Sequence, residues 1–339
     1  MNKLFKIASL LLLVFTVQWS FSQGASLSPY DLKESYLEKR ATYESSSTKA
    51  ISAENQAELD RILAVLEENA PNSYEYHLIK YINGNFNTDL KTHLFKAYEL
   101  KPDEKEVLIE LFGYYSLIDD KASQKLFASK IKRYYSKNVL AYYQFLLDFH
   151  AKPFIVFSGE ADAYPALILK AEGKIPSGTE IINLDFLQND AYRRNLQTKV
   201  GGVNLKFYQN ESAFISALLK ANSHKIGVSS TVGQGYLSKV ASDIYLVGLT
   251  YEYQVGDQLK ALNKFWSTAQ NYLTQLSLDN RTEKAVHRNF LPPLLTLYKL
   301  KCANKEKDLK LRKTIELLGK ETGKEAVVSE LLNTYEQSE

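Results

Sequence analysis

Between residues 154 and 251 the apolar pattern of this chain loses its helical period and breaks into short β-rich runs, a switch that constrains the fold more than any other feature. The runs are Phe154–Phe157, Thr179–Leu184, Val203–Tyr208, Ile226–Ser229 and Ile244–Tyr251. Helical patterns lie between them at Tyr164–Ala171, Asn189–Leu196 and Glu211–Lys220. Short strands alternating with helices read as βαβ units, which build a mainly parallel sheet with helices on both faces. The stretch Phe154–Leu196 is the centre of this region. It reads as a strand, an acidic turn Ser158-Gly159-Glu160-Ala161-Asp162, a helix opening at Pro165, a second strand and a second helix. Open α/β sheets place their ligands at the C-terminal ends of such strands.

On both sides the period is helical. Residues 49–150 carry helices separated by short polar turns, and the breaks at Pro102 and Lys137 are 35 residues apart. That spacing is close to the period of tetratricopeptide helix pairs, and Ala97-Tyr-Glu-Leu-Lys-Pro-Asp103 resembles the end of such a repeat. Stacked helix pairs leave a concave surface suited to peptides; a plain helical layer packed on the next domain is the competing reading. Residues 259–339 form further hairpins, led by the stripe Leu259, Leu262, Phe265, Trp266, Ala269, Tyr272 and Leu273. The expected class is α/β with flanking all-α regions: a mainly parallel, Rossmann-like sheet between tetratricopeptide-like helical hairpins.

The first 22 residues read as a signal peptide. Lys3 and Lys6 precede an apolar run from Ile7 to Val17, and Ser20-Phe21-Ser22 offers small residues at a cleavage site. A run of about 11 residues is too short for a spanning helix, which needs about 20. Residues 23–48 are polar and read as a tether with a short helical piece near Tyr30–Tyr43. The expected location is therefore the periplasm, or the periplasmic face of the outer membrane, with no membrane span in the mature chain. One cysteine, Cys302, rules out a disulfide framework. The formal charge of +3 loses Lys3 and Lys6 with the leader and falls to +1. Such balance argues against nucleic acid, which needs a concentrated basic face.

The residues of the α/β region resemble the soluble C-terminal region of the transmembrane protein 260 like family, membrane proteins whose animal members are protein O-mannosyltransferases. The resemblance rests on four segments in the same order: Phe157-Ser-Gly-Glu-Ala-Asp-Ala-Tyr-Pro165, Ile181-Ile-Asn-Leu-Asp-Phe-Leu187 with Asp190-Ala-Tyr192, Lys225-Ile-Gly-Val-Ser229, and Val247-Gly-Leu-Thr-Tyr-Glu252. This chain has none of that family's membrane helices, and Ala161 and Ala163 replace polar residues of its turn. The resemblance implies a retained scaffold without the transferase activity.

Ser158, Glu160, Asp162, Asn183 and Asp185 are the candidate ligand-binding residues. If the first two strands are parallel neighbours, these side chains share one end of the sheet, where carboxylates could hold a sugar's hydroxyls or a cation. The competing role for Asp162 is a helix cap. A hydroxyl-rich loop, Ser229–Gly235, lacks the lysine of a phosphate-binding loop. The five histidines have no metal-ligand spacing, and no nucleophile motif is present. No catalytic residue, metal or cofactor is expected. The function expected is that of an exported, non-catalytic scaffold whose helical repeats hold a polypeptide partner of the cell envelope. The alternative is an envelope glycan-binding or glycan-modifying enzyme with an acidic site at the strand ends.

Overall fold

The structure, a computed structural model, describes residues 27–44, 51–150, 152–201, 211–253, 256–274 and 276–337. The expected leader (1–22) and the expected strand Val203–Tyr208 lie outside the described residues. Seven helices form the first layer: α1 Pro29–Tyr43, α2 Ala53–Asn69, α3 Tyr74–Asn83, α4 Lys91–Leu100, α5 Lys105–Leu117, α6 Lys121–Ile131 and α7 Lys137–Phe149. The polar breaks between them are caps. The side chains of Ser28, Ser52, Ser73, Asp120 and Ser136 each accept an N–H of the first turn that follows, satisfying donors the helix cannot.

The helical piece expected near Tyr30–Tyr43 is α1, which docks on α2 and α3. Tyr36 is fully buried and its hydroxyl donates to Asn83 Oδ1 at 2.7 Å. The sequence hides this face because Lys33 belongs to it. Its stem is buried, and its ammonium reaches Glu34 at 2.8 Å and Glu104 at 3.6 Å.

Then the chain enters the sheet: β1 Phe154–Phe157, α8 Gly159–Ala171, β2 Glu180–Asn183, α9 Asp190–Val200, α10 Glu211–Ala221, β3 Ile226–Ser229, a short α11 Gln234–Leu237, β4 Ile244–Val247 and β5 Thr250–Tyr253. The strand order is β2-β1-β3-β5-β4. β1 runs parallel to β2 and β3, and β5 runs antiparallel to β3 and β4. Along β1 the pleat divides two cores. Ile155 and Phe157 enter the core shared with α8 and the helical layer, whereas Phe154 and Val156 enter the one built with α9 and α10. Helix α8 is apolar on nearly every face because it lies between the sheet and helices α5, α6 and α7.

The run Ile244–Tyr251, expected as one strand, is a hairpin. Gly248, with φ 64°, opens a two-residue turn between the paired residues Val247 and Thr250. A Cβ there would stand 2.5 Å from the buried Phe265 ring. Gly248→Ala is therefore expected to destabilise the protein by about 3 kcal/mol, from left-handed strain and overpacking together. Urea unfolding tests this; an unchanged midpoint would contradict the turn geometry.

The remaining helices are α12 Gln258–Leu273, α13 Arg281–His287, α14 Leu291–Ala303, α15 Leu309–Glu321 and α16 Glu325–Gln337. The stripe read in α12 is its buried face, with Leu262, Phe265, Trp266, Ala269 and Leu273 inside. Pro292 falls in the first turn of α14, where a missing N–H leaves no broken bond. The first layer meets these helices through rings: Phe290 lies 5.7 Å from Tyr142, 5.4 Å from Phe145 and 5.6 Å from Tyr272 between centroids.

Candidate functional site: a polar cleft between the helical layer and the strand ends

From β1 the chain goes first to β2 on one side and then to β3 on the other, so the topological switch of the sheet lies between β1 and β3. Ligands of open α/β folds sit there. In this protein aromatic side chains fill the place. The Tyr143 ring of α7 lies tilted against Phe157, 5.9 Å between centroids, and its hydroxyl donates to Asp162 Oδ1 at 2.8 Å. Asp162 Oδ2 accepts the Ser158 N–H at 2.9 Å, and the residue is 6% exposed. The hydroxyls of Tyr142 and Ser230 lie beside each other and the Asn289 side chain, buried but closing no hydrogen bond of ordinary geometry.

These contacts also explain why the helix does not open at Pro165. Proline in a helix interior leaves the carbonyl four residues back without its donor. Here that carbonyl, Ala161 O, is met by the Tyr143 hydroxyl at 3.4 Å, so α8 starts at Gly159. Gly159 itself has φ 75°, a conformation natural only to glycine. The parallel pairing of β1 and β2 brings the candidates together as expected, since Asn183 Oδ1 accepts from Gly159 N at 3.2 Å and from Asp185 N at 3.1 Å. Asn183 is 1% exposed. Asp162 and Asn183 thus each accept backbone N–H groups of the strand-end turns, a structural role of the kind weighed for Asp162 in the sequence. Ser158, half-buried, precedes α8 without capping it through its side chain.

Glu160 and Asp185 belong elsewhere. Both carboxylates act electrostatically on Glu110, which α5 presents from the helical layer. Glu110 is half-buried. Arg40 is the nearby cation, but its guanidinium is engaged: it meets Glu44 at 2.8 Å, Ile82 O at 3.1 Å and Asn85 Oδ1 at 2.6 Å. The Tyr81 hydroxyl, beside Glu110, is buried without a hydrogen-bond partner. Tyr135 and Tyr164 bring two more hydroxyls into the field of Glu160. The wall between α3 and α4 is held in an uncommon shape, with Asn85 at φ 49° and Phe86 at φ 60°. Arg40 grips the first, and Asn189 Nδ2 donates to the carbonyl of the second at 3.1 Å.

Burial, reinforced by the Glu160 carboxylate, pushes the Glu110 carboxyl up to about 8, against the attraction of Arg40. The sign of the linkage follows. An acid whose folded pKa is raised binds its proton more tightly in the native state, so stability falls as pH rises from about 4.5 toward about 8. Glu110→Gln removes that slope. Its stability advantage over the parent is expected to grow by about 2 kcal/mol between pH 5 and pH 7, measured by denaturant unfolding. A difference that stays constant with pH would show Glu110 ionising as an ordinary glutamate.

A small recess, about 40 Å³, opens at the outer edge of β2. Lys121, Lys170 and Lys199 line it, tied to Asp119 and Glu180; Lys170 meets Glu180 at 2.6 Å and Lys199 meets Asp119 at 3.0 Å. Two histidines far apart in sequence are neighbours in space: His77 Nδ1 and His93 Nδ1 are 2.9 Å apart. Burial holds both rings below the usual imidazole range. Among the described residues no group of three or more His, Cys, Asp or Glu is placed to hold a metal ion. The loop after β3 closes on itself, Ser229 Oγ lying 2.5 Å from Thr231 Oγ1.

Sequence reasoning thus named Glu160 and Asp185 and passed over Glu110 and the tyrosines near it. Glu110 carries a legible signal, a lone acid inside the apolar run Val107–Tyr115 of α5, most of whose side chains are buried. Tyr81 and Tyr135 carry none, since nothing local sets them apart from the chain's other tyrosines until packing brings them near Tyr164. No protein-family model, curated protein or solved structure matches the chain.

Proposed function

We propose that the protein is an exported, non-catalytic binding protein of the cell envelope that holds a polypeptide partner in the cleft between its helical layer and the ends of its sheet strands. The observation that carries this reading is the buried Tyr81 hydroxyl, which has no hydrogen-bond partner among the described residues and lies in the field of Glu110. Native proteins rarely leave such groups unpaired without a use for them. The helical layer reads as tetratricopeptide-like hairpins and the sheet as a Rossmann-like module, its usual ligand crevice closed by Tyr142 and Tyr143. Binding thereby moves to the concave side. The resemblance of residues 157–252 to a family's soluble region supports a scaffold. Periplasmic location rests on the leader-like sequence of the first 22 residues. No helix among the described residues is long and apolar enough to cross a membrane.

A photo-crosslinking amino acid at the exposed Ala161, beside Glu160, tests the reading in envelope preparations. One polypeptide, identified by mass spectrometry, is expected to attach there and not at the exposed Leu309. Adducts that form equally at both positions, or none, would overturn it.

One observation favours a second reading, a module that binds or modifies envelope glycans. A carboxyl that stays protonated near neutral pH beside a second carboxylate is the pairing used in glycoside chemistry. Cleavage of cell-wall glycan fragments by the parent protein but not by Glu110→Gln would establish it; inertness of both would dismiss it.

A further inference from the structure

A different surface of the molecule carries an excess of positive charge that the chain itself leaves unmatched. We infer that the groove between α13 and the turn joining α15 to α16 is a docking surface for an extended, acidic segment of a partner polypeptide. The groove shares no residue with the surroundings of Glu110, so the inference stands whether or not anything binds there.

The groove holds about 370 Å³ and is lined by residues of 279–288 on one wall and by residues 320–323 on the other. Both walls are fixed. Arg288 Nη2 donates across to the Thr322 carbonyl at 3.1 Å. The buried Glu283 turns away from the groove, accepting the Asp279 N–H at 2.9 Å and Asn138 Nδ2 at 3.0 Å, while Asn280 Oδ1 accepts the Glu283 N–H. On the other wall the Lys324 N–H donates to the Gly319 carbonyl at 2.6 Å and closes the end of α15. A groove formed in advance spares a ligand the cost of ordering it.

Charge decides what the groove takes. Four cations, Arg281, Lys284, Arg288 and Lys320, line it against two carboxylates, Asp279 and Glu321. None of the six makes an ion pair with any described residue. The lysines of the recess beside β2 differ in this respect, since Lys170 is tied to Glu180 and Lys199 to Asp119. Arg281, Arg288 and Lys320 are exposed and Lys284 is half-buried, so a partner reaches them without rearrangement. The chain has no acidic segment in reserve. Its stretches outside the described residues contain no aspartate or glutamate except Glu339, which follows α16, and α16 leads about 20 Å from the groove. The missing negative charge therefore comes from another molecule.

Spacing then favours a polypeptide. Arg281, Lys284 and Arg288 fall at i, i+3 and i+7, a row on one helical face about 10 Å long, with Lys320 on the facing wall. An extended segment presents alternate side chains on one face every 6.6 Å or so, about the rise between neighbouring cations of the row. Separate carboxylates spread along such a segment meet successive cations. A phosphate group concentrates its charge at one point, engages only part of the row, and stands closer to Asp279 or Glu321. Those two carboxylates also repel an anionic lipid surface.

The test titrates the full chain by calorimetry with a blocked Glu-Ala-Glu-Ala-Glu peptide, its Gln-Ala-Gln-Ala-Gln twin, inorganic phosphate, and phosphatidylglycerol vesicles. The acidic peptide is expected to bind at least about tenfold more tightly than its amide twin and than phosphate, and to weaken about tenfold as salt rises from about 0.05 M to about 0.5 M. Lys284→Glu combined with Lys320→Glu is expected to lower its affinity by about thirtyfold. Lys91→Glu combined with Lys220→Glu makes the same change of net charge at exposed, unpaired lysines of α4 and α10, and is expected to stay within about twofold of the parent. Equal losses in the two double variants, unchanged affinity in the first, equal binding of the amide twin, or tighter binding of phosphate or vesicles would each overturn the proposal. Melting temperatures show whether the groove variant folds. If it does not, Lys320→Glu alone, at an exposed position, decides the matter: a fall of about fivefold supports the surface and an unchanged affinity removes it. The Ala161 crosslink reports on the strand-end reading separately, and its outcome leaves these results untouched.

Discussion

Asp162→Ala is expected to destabilise the protein by about 4 kcal/mol, while Glu160→Ala, two residues away, is expected to change stability by less than about 0.5 kcal/mol. The contrast follows from what each carboxylate touches. Asp162 is 6% exposed and receives the Tyr143 hydroxyl at 2.8 Å and the Ser158 N–H at 2.9 Å. Alanine leaves the Ser158 N–H without its acceptor and the buried Tyr143 hydroxyl with only its long 3.4 Å contact to Ala161 O, and a buried group so deprived costs about 1–3 kcal/mol. A further consequence falls on α8, since Tyr143 is also the group that meets Ala161 O where Pro165 provides no N–H. Freed from Asp162, the Tyr143 ring has less to hold it there. Glu160 is exposed on the rim of the cleft, and its removal takes away a carboxylate that raises the Glu110 pKa. Urea unfolding of the two single variants measures this. An Asp162→Ala protein that melts like its parent would restore Asp162 to the list of ligand-facing residues.

That pair of carboxylates shows what sequence can and cannot say about such a turn. Both are acids after a strand, and local spacing gives them the same standing. The chain legibly announced the strand, the parallel neighbour and the glycine, because period-2 runs and turn chemistry are local properties. β1 and β3 lie where the apolar runs put them, at Phe154–Phe157 and Ile226–Ser229. Whether a carboxylate faces a tyrosine or a cleft is decided by α7, which reaches the turn from 19 residues upstream of Asp162 through Tyr143. The helix start was misplaced for the same reason. Proline argues for a first turn only while no side chain from another element replaces its missing donor.

The floor of the cleft was further from view. Arg40, Tyr81, Glu110 and Glu160 come from four helices, and no window of sequence holds two of them. The hairpin Ile244–Val247 and Thr250–Tyr253 was misread as one strand because Leu246 to Tyr251 is apolar across the turn except at Gly248 and Thr250. A glycine inside a strand pattern already suggested a break. Lys33 disguised the buried face of α1 in the opposite way, a charged residue at a position whose stem packs inside. In each case the local pattern was sound and a tertiary partner changed its meaning.

Phe290→Ala is expected to have the largest effect of any single truncation, a loss of about 4–5 kcal/mol. The ring is fully buried where three parts of the chain meet. It packs on Tyr142 and Phe145 from α7, on Phe265 and Tyr272 from α12, and on His287 just before it, with centroids between 5.4 and 6.1 Å. Each of these rings is held by a second aromatic contact. Tyr272, for example, bonds His287 Nε2 at 2.8 Å, and His287 Nδ1 lies 2.8 Å from Glu283 O. Such a surround collapses poorly, so most of the cavity persists and the cost stays near the top of the range for Phe→Ala. The effect should also travel. Tyr142 and Tyr143 are consecutive on α7, and Tyr143 holds Asp162 and the start of α8. Loosening Tyr142 is therefore expected to raise hydrogen exchange at the Ser158 and Gly159 amides as well as around Phe290 itself. Thermal unfolding gives the first quantity and exchange the second. A variant that loses the full stability yet leaves those two amides as protected as before would show that the aromatic joint and the strand-end turn are energetically independent, and that the sheet is held to the helical layer by α8 alone.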